Sequence, residues 1–385
     1  MSDWVEKRLG EVCTLQRGFD LPTRQRKKGD YPLISSSGCI DSQAEAKVFG
    51  PGVVTGRSGS IGSVFFIEKD FWPLNTALYV KDFHGNDPRF IFHLLSKFDL
   101  KRFASGAGVP TLNRNNVHSE IVYVPSKVSE QKRIVSIVDQ AFEGIDGAIV
   151  NTKENLTNAR ELFESYLNAT FTQKGDGWIE SKLSAVCKFQ GGSQPPKSVF
   201  SAEKKEDYIR LIQIRDYKSD KYIVYIPKEK AKRFCKPDDV MIGRYGPPLF
   251  QILRGLEGAY NVALMKAIPN EEFVSKDFLF YFLKNRNILK YIINSSSRTA
   301  GQTGLNKVTI EPYPIAFPTL EKQAIIVAQL QELKAETQRL ETIYQQKLAA
   351  LNELKQSILQ KAFTGELTAD TANQTTKKAE EAIAA

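Results

Sequence analysis

A chain of 385 residues, 42% of them hydrophobic, is long enough for two or three cores and ordinary for a globular protein. It has no apolar run near the roughly 20 residues that span a bilayer and no apolar stretch behind a basic N-terminus, so it reads as soluble and cytoplasmic. The net charge is +9, which suits a polyanionic partner, a solubilising surface being the plainer alternative.

In chain order, WVEKRLGEVC (Trp4 to Cys13) opens a first block, and WIESKLSAVC (Trp178 to Cys187) opens a second. The echo continues. VVTGRSGSIG (Val53 to Gly62) answers to VMIGRYGPPL (Val240 to Leu249), and NTALYV (Asn75 to Val80) to NVALMK (Asn261 to Lys266). TLN at Thr111 to Asn113 parallels GLN at Gly304 to Asn306, and PSKVSEQKRIV (Pro125 to Val135) parallels PTLEKQAIIV (Pro318 to Val327). Two copies, not three or more, argue against a solenoid. Short alternating runs such as SVFFIE and KYIVYIP, set among Gly and Pro, predict strands. Late in each block, Asp87 to Phe103 and Ser275 to Ile292 carry apolar residues at three- and four-residue spacing behind a capping residue, which predicts a helical patch.

A long helix follows each block. In the second, Ile326, Leu330, Leu333, Thr337, Leu340, Tyr344, Lys347, Leu351, Leu354 and Ile358 keep alternating four- and three-residue steps, a heptad seam. In the first, Ile134, Val138, Ala141, Ile145, Ala148 and Thr152 run in heptad phase, then shift by one residue to Leu156, Ala159, Phe163 and Tyr166. With Gly144 and Gly147 this suggests a bend or a loosened seam. Residues 129–171 and 321–363 have equal length, and the simplest way to bury both stripes is an intramolecular antiparallel pair with one block at either end. Folding back on each block, or zipping with another molecule, are the alternatives. Charge follows the same division. Residues 1–125 hold 16 Lys/Arg against 13 Asp/Glu and residues 178–320 hold 23 against 14, while the helical stretches are slightly acidic.

Two basic blocks, each followed by a long helix, with SILQKAFTGEL (Ser357 to Leu367) closing the second, resemble the specificity subunit of a type I restriction–modification system. The resemblance covers essentially the whole chain and rests on QKAFTGEL, the PSxxEQ-like start of each helix and the VxxGRxG turn. It implies an α+β fold in which two similar target-recognition domains are separated by a long antiparallel two-helix coiled coil, pseudo-twofold and quasi-circular. The expected boundaries are 1–125 and 174–318 for the recognition domains, 126–173 and 319–367 for the spacer helices, and 368–385 for a disordered tail. FTGEL should stand to Trp4 as FTQKGDGW stands to Trp178. By the same resemblance the chain is non-catalytic and each domain reads one half of a bipartite, asymmetric DNA site. The helices would dock two methyltransferase subunits, with one or two restriction or motor subunits beside them. Phe163, Phe171, Leu354 and Phe363 are the candidate partner-facing side chains. AdoMet, ATP and Mg²⁺ would belong to the partner subunits, none to this chain. A stand-alone DNA-binding regulator and a coiled-coil adaptor for acidic proteins or RNA are the competing readings.

The residues agree on what is missing. There is no GxxxxGK[ST] phosphate loop and no NPPF- or DPPY-type methyltransferase tetrapeptide. FASGAG (Phe103 to Gly108) follows a helix instead of a strand and reads as a turn. Cys13, Cys39, Cys187 and Cys235 are scattered without a CxxC pair and read as free thiols. His84, His93 and His118 lack metal-ligand spacing.

For DNA contact, Arg24, Arg26, Lys27 and Lys28 form the densest basic run of the first block, a candidate phosphate clamp. Arg57 and Arg244 occupy the same repeat position between glycines. Arginine suits guanine, but a residue shared by readers of different sequences fits a structural or phosphate-directed role better. The divergent loops hold Asn113, Arg114 and Asn115 in the first block and Arg298, Gln302 and Lys307 in the second. Tyr245 and Tyr217 are candidates for packing on sugar or base edges.

Overall fold

The computed structural model describes residues 4–106, 109–246, 248–296 and 304–366; the expected tail, 368–385, lies outside them. The chain divides into two units, Met1–Glu154 with Tyr344–Ala385, and Asn155–Ile343. Each therefore takes one recognition block, part of the helix that leaves it and part of the other long helix.

In the first unit, Trp4–Arg8 pairs antiparallel with Ile121–Pro125, tying the start of the block to its end. Behind this pair stands a four-stranded antiparallel sheet in the order Thr14–Arg17, Ala77–Asp82, Gly52–Gly56, Val64–Ile67. Side chains alternate across a strand, and both faces of this sheet are used. Val53, Leu78 and Val80 face the main core with Phe90, Ile91, Leu94 and Leu95, while Val54, Ala77 and Tyr79 face a second cluster with Ile34 and Phe71. That second face is covered by a smaller sheet, Gly38–Gln43, Tyr31–Ser35, Trp72–Pro73, in which Leu33 pairs parallel with Trp72.

The second unit repeats the plan. Ile179–Lys182 pairs with Pro314–Phe317. The four-stranded order is Cys187–Gly191, Leu264–Pro269, Val240–Gly243, Gln251–Leu253. Val240, Ile242, Met265 and Ala267 face the helices, and Met241 and Leu264 face the other way. The covering sheet is Tyr225–Pro227, Tyr208–Ile212, Gly258–Tyr260, Phe234–Cys235, and Leu211 pairs parallel with Ala259 where Leu33 paired with Trp72. The predicted strand in KYIVYIP is its second half only; Asp220–Tyr222 is a 3₁₀ turn.

Each predicted helical patch is divided in two by a second cap, and the second of them runs on to Ser296. Pro88–Lys97 starts at Asp87, whose carboxylate accepts from the amides of Arg89 and Phe90. It stops at Phe98, and Asp99 recaps a 3₁₀ turn over Leu100–Phe103. Lys276–Leu283 starts at Ser275, and Asn285 then accepts from the Asn287 amide as Arg286–Ser296 begins.

The two long helices are Val128–Thr172 and Leu320–Ala362, and Gly144 and Gly147 lie inside an unbroken run. In the first unit Ile134, Val138 and Ile145 share a core with Leu351, Ile358, Leu359 and Ala362, and Lys355 reaches Asp146 at 2.7 Å. In the second, Arg160 meets Glu341 at 3.0 Å and Tyr166 meets Gln329 at 3.3 Å, so the helices of this pair run antiparallel. All ten positions of the second seam are buried or half-buried. The first seam is corrected at its end. Tyr166 is exposed, and Leu167 and Phe171 carry the stripe instead. The steps Ala159, Phe163, Leu167, Phe171 stay at four because this stretch also serves the block. Phe163 packs on Tyr281, with ring centroids 6.4 Å apart, and Phe171 on Phe278 at 5.3 Å.

The PSxxEQ-like start of each helix has a physical reading. Gln131 is buried; its Oε1 accepts from the Asp87 amide and its Nε2 donates to Asn86 Oδ1 and the Pro125 carbonyl. Gln323 is also buried; its Oε1 accepts from the Ser275 amide and its Nε2 donates to the carbonyls of Phe273 and Pro318. In each unit one glutamine thus joins the N-cap of the block's helix to the end of its last strand. The expected equivalence of FTGEL and FTQKGDGW holds too. Phe363 packs on Phe90 at 5.1 Å as Phe171 does on Phe278, and a Cβ added at Gly365 would lie 3.5 Å from the Trp4 ring, one at Gly175 3.0 Å from Trp178. Cys13, Cys187 and Cys235 are buried free thiols and Cys39 an exposed one; burial pushes Cys13 and Cys187 up to about 12.

Candidate nucleic-acid interface

At one edge of each four-stranded sheet, several loops meet on the Gly-Arg-x-Gly turn. In the first unit the amides of Arg57 and Ser58 both donate to the Thr76 carbonyl, and the Arg57 carbonyl accepts from the Leu112 amide at 2.7 Å. One turn so joins the Asn75–Thr76 loop to the 109–113 loop. Only glycine fits its corners. A Cβ on Gly56 would stand 2.0 Å from the Ser60 carbonyl oxygen, and Gly59 has φ +83°. In the second unit the Arg244 amide donates to the Ala263 carbonyl and the Arg244 carbonyl accepts from Leu305, both at 2.9 Å, and Gly246 has φ +90°.

The two arginine side chains act as staples at this junction. Arg57 donates through one terminal nitrogen to the Asn75 carbonyl at 3.3 Å, and Asn75 donates in turn to Asp20. Arg244 donates through Nε to the Leu305 carbonyl at 2.9 Å and through a terminal nitrogen to the Val262 carbonyl at 3.2 Å. A guanidinium has five N–H donors, so the rest of each remains for an anion at the surface. Tyr245, 44% exposed, lies under the Arg244 guanidinium at 5.3 Å.

TLN and GLN also have a structural meaning. Asn113 accepts from the Asn115 amide and caps the short helix Arg114–His118; Asn306 accepts from the Val308 amide and caps Lys307–Ile310. Arg114 and Lys307 are thereby placed at the same exposed first helical position. Arg114 reaches the Leu15 carbonyl at 3.4 Å, and His118 behind it accepts the Leu15 amide on Nε2 at 2.8 Å. Burial, then the Arg114 charge, holds the His118 pKa below its usual value, which keeps that nitrogen unprotonated.

The structure therefore gathers Arg57, Asn113, Arg114 and Asn115 at the loop edge of the first unit and Arg244, Tyr245 and Lys307 at that of the second. Arg298 and Gln302 lie outside the described residues. Arg24, Arg26, Lys27 and Lys28 are not part of the first cluster. The Lys27 amide donates to Gln43 and its carbonyl accepts from Ala44, so this run sits at the open end of the Tyr31–Gln43 hairpin, whose tip, Ser36–Ser37, abuts the Gly-Arg turn. A strand of five residues separates the two ends by roughly 15 Å. Tyr217 is no surface platform either; its ring is in the core with Ile212, Cys235 and Met241 and its hydroxyl is buried. Phe171 and Phe363 are buried in their own units, and Phe163 and Leu354 are packed against those cores, so all four serve the chain's own packing.

Sequence reasoning missed the hairpin tip of the second unit. Strands Tyr31–Ser35 and Gly38–Gln43 are joined by Ser36 and Ser37; the equivalent strands Tyr208–Ile212 and Tyr225–Pro227 are joined by residues 213–224. The signal was present in KYIVYIP, whose alternation begins too early for one strand.

Away from this edge, a cavity of about 670 Å³ in the first unit is lined by Arg89, His93, Asp139, Phe142, Asp146 and Lys355 among others. Several of its charges are paired with one another: Asp139 accepts from Arg89 at 3.0 Å and from His93 Nε2 at 2.7 Å, and Asp146 from Lys355 at 2.7 Å. Among the described residues no group of three or more His, Cys, Asp or Glu is placed to hold a metal ion, and no helix is long and apolar enough to cross a membrane.

A family model for the type I restriction modification DNA specificity domain matches residues 1–157 and again residues 175–350. The EcoDI specificity subunit of Escherichia coli is 34% identical, over 95% of this chain and 89% of its own length. The StySPI specificity subunit of Salmonella potsdam is 24% identical over 73% of this chain; the match spans 66% of that subunit's length. Among solved structures, one reported for complex assembly and conformational transition of the type I R-M system superposes with a TM-score of 0.73 at 20% identity, covering 94% of this chain and 98% of that one. The HsdS subunit from Thermoanaerobacter tengcongensis superposes at 0.56 with 21% identity, covering 94% and 97%. These two establish the fold, and the twice-matched family model agrees with the doubled sheet and Gly-Arg turn. The chain belongs to the family of type I restriction–modification DNA specificity subunits.

Proposed function

We propose that this chain is the DNA-recognition subunit of a type I restriction–modification complex and that it reads a bipartite, asymmetric site, residues 1–125 one half and residues 174–318 the other. The observation that carries this is the repeated loop edge. Two sheets of identical order present the same Gly-Arg-x-Gly and capped-helix framework, with different residues on it. Phosphate contacts fix register and tolerate sharing between readers; base contacts specify and must differ. Arg57 and Arg244 are suited to the first role, with Arg114, Asn115, Tyr245 and Lys307 around them; Arg298 and Gln302 remain candidate base contacts of the second copy that lie outside the described residues. Arg24, Arg26, Lys27 and Lys28 supply a separate phosphate clamp.

In this reading the chain is non-catalytic, and AdoMet, ATP and Mg²⁺ belong to partner subunits. Residues 126–173 and 319–367 are the spacer, docking two methyltransferase subunits and one or two restriction subunits. The test is to map N6-methyladenine in DNA of cells carrying the chain with its methyltransferase. The expected result is one bipartite motif with an unread gap of about one half to one helical turn. Methylation without a bipartite motif, or specific DNA binding that needs no partner, refutes it.

A further inference from the structure

We propose that residues 213–224, the long hairpin connection of the second unit, are a base-reading element for one half-site, with Arg215 and Tyr222 as its specificity-determining side chains; the assignment rests on the DNA-recognition reading above. Three observations carry it.

The first is position. The connection leaves the sheet at Gln213–Ile214, and a Cβ on Gly243, the first glycine of the Gly-Arg turn, would stand 3.3 Å from Ile214. It returns where the Leu211 amide donates to the Val224 carbonyl at 2.7 Å. The segment is thus rooted at the loop edge where Arg244 and Lys307 are gathered.

The second is that it is built and not loose. Asp216 is buried, and its carboxylate accepts from the Gln213 amide at 3.0 Å. Arg210 Nε lies 3.8 Å and Arg215 Nε 3.9 Å from that carboxylate. Tyr217 plugs into the core below, Ser219 caps the turn Asp220–Tyr222, and Arg210 holds Asp220 at 2.9 Å. Preorganisation of this kind lowers the ordering cost of binding.

The third is what it shows to solvent. Tyr222 is 55% exposed, with the Arg215 guanidinium 5.4 Å and the Lys221 ammonium 5.3 Å from its ring. An aromatic face flanked by cations, held by a buried anchor, matches nucleic acid, since Arg pairs with guanine edges and an aromatic ring packs on bases or sugars. The first unit closes the same hairpin with two serines, so the element distinguishes the two readers where their scaffolds agree.

The test is selection from a pool of random-sequence duplex DNA by the complex of this chain with its methyltransferase subunits. Wild type, Tyr222→Ala, Arg215→Ala and Tyr222→Phe are compared, with thermal unfolding as a check on folding. Tyr222→Ala and Arg215→Ala should leave one half of the selected motif intact, lose preference at one or more positions of the other half, and bind the wild-type duplex roughly tenfold or more weakly. Tyr222→Phe keeps the ring and should retain the wild-type motif. An unchanged motif with affinity within about twofold overturns the proposal. So does a uniform loss of affinity with an unchanged motif and a shallower salt slope, which marks phosphate contact. A wild-type complex that selects no motif refutes the DNA-recognition reading itself, and this proposal with it.

Discussion

The first unit turns its outer hairpin with Ser36 and Ser37, the second spends residues 213–224 on the same connection, and the sheets behind them have the same strand order. The difference shows where such a scaffold can vary. Neighbouring residues such as Val53 and Val54, or Met241 and Ile242, face opposite cores. A one-residue slip in a strand would reverse every one of them. Insertion at a tip disturbs none. What the two units share therefore sits in the strands and the turn glycines, and what distinguishes them in the connections.

The comparison is tested hardest where the units match. Phe171→Ala and Phe363→Ala remove equivalent rings packed on Phe278 and Phe90, and each should cost about 3–5 kcal/mol. Denaturant unfolding of the full chain should find the two losses alike; a several-fold disparity would break the equivalence. Gln131→Ala and Gln323→Ala come next. Each strands a buried amide and carbonyl at the helix start, for about 2–3 kcal/mol, and Gln→Glu should not restore the carbonyl contacts. Hydrogen exchange should show the loss concentrated in the first turns of the long helix concerned.

Acid should separate the units instead. All three histidines, His84, His93 and His118, lie in the first unit. Burial is the main cause that lowers the His93 pKa, partly opposed by its hydrogen bond to Asp139; His118 is lowered by burial and then by Arg114. A lowered folded value means that the unfolded chain takes the proton first. The stability is whole above about pH 6.5 and is lost as pH falls toward the folded value, by at most about 1.4 kcal/mol per pH unit for His93. The equivalent of His93 in the second unit is Tyr281, which does not titrate there. Exchange measured from pH 7 to pH 5 should loosen the first unit and not the second, and His93→Gln should flatten the response. Equal loosening of both would assign the effect to carboxylates. The smallest effect expected is at the caps. Asn113→Ala and Asn306→Ala should each cost about 1 kcal/mol and displace Arg114 or Lys307, a change read most directly as weaker binding at one half-site.

The doubling, the two long helices and the heptad seam from Ile326 to Ile358 are legible in the sequence, because repeats and apolar periodicity are local in the chain and need no partner to be recognised. The Gly-Arg turn is legible too, since glycines at fixed spacing mark either a close approach, as at Gly56, or a positive φ, as at Gly59 and Gly246. What those residues touch depends on loops that the fold brings together. The shared position of Arg57 and Arg244 points to a structural or phosphate-directed role, but the groups they hold, the carbonyls of Asn75, Val262 and Leu305, come from loops distant in sequence. That Asn113 caps a short helix by accepting from the Asn115 amide is likewise a fact of the fold. Leu167 took the place of Tyr166 because the stripe there must satisfy a block as well as a helix, and a seam inferred from one helix holds no information about a second surface. The basic run at Arg24 to Lys28 was the densest charge in its block, yet density along a chain does not say which end of a hairpin it will occupy.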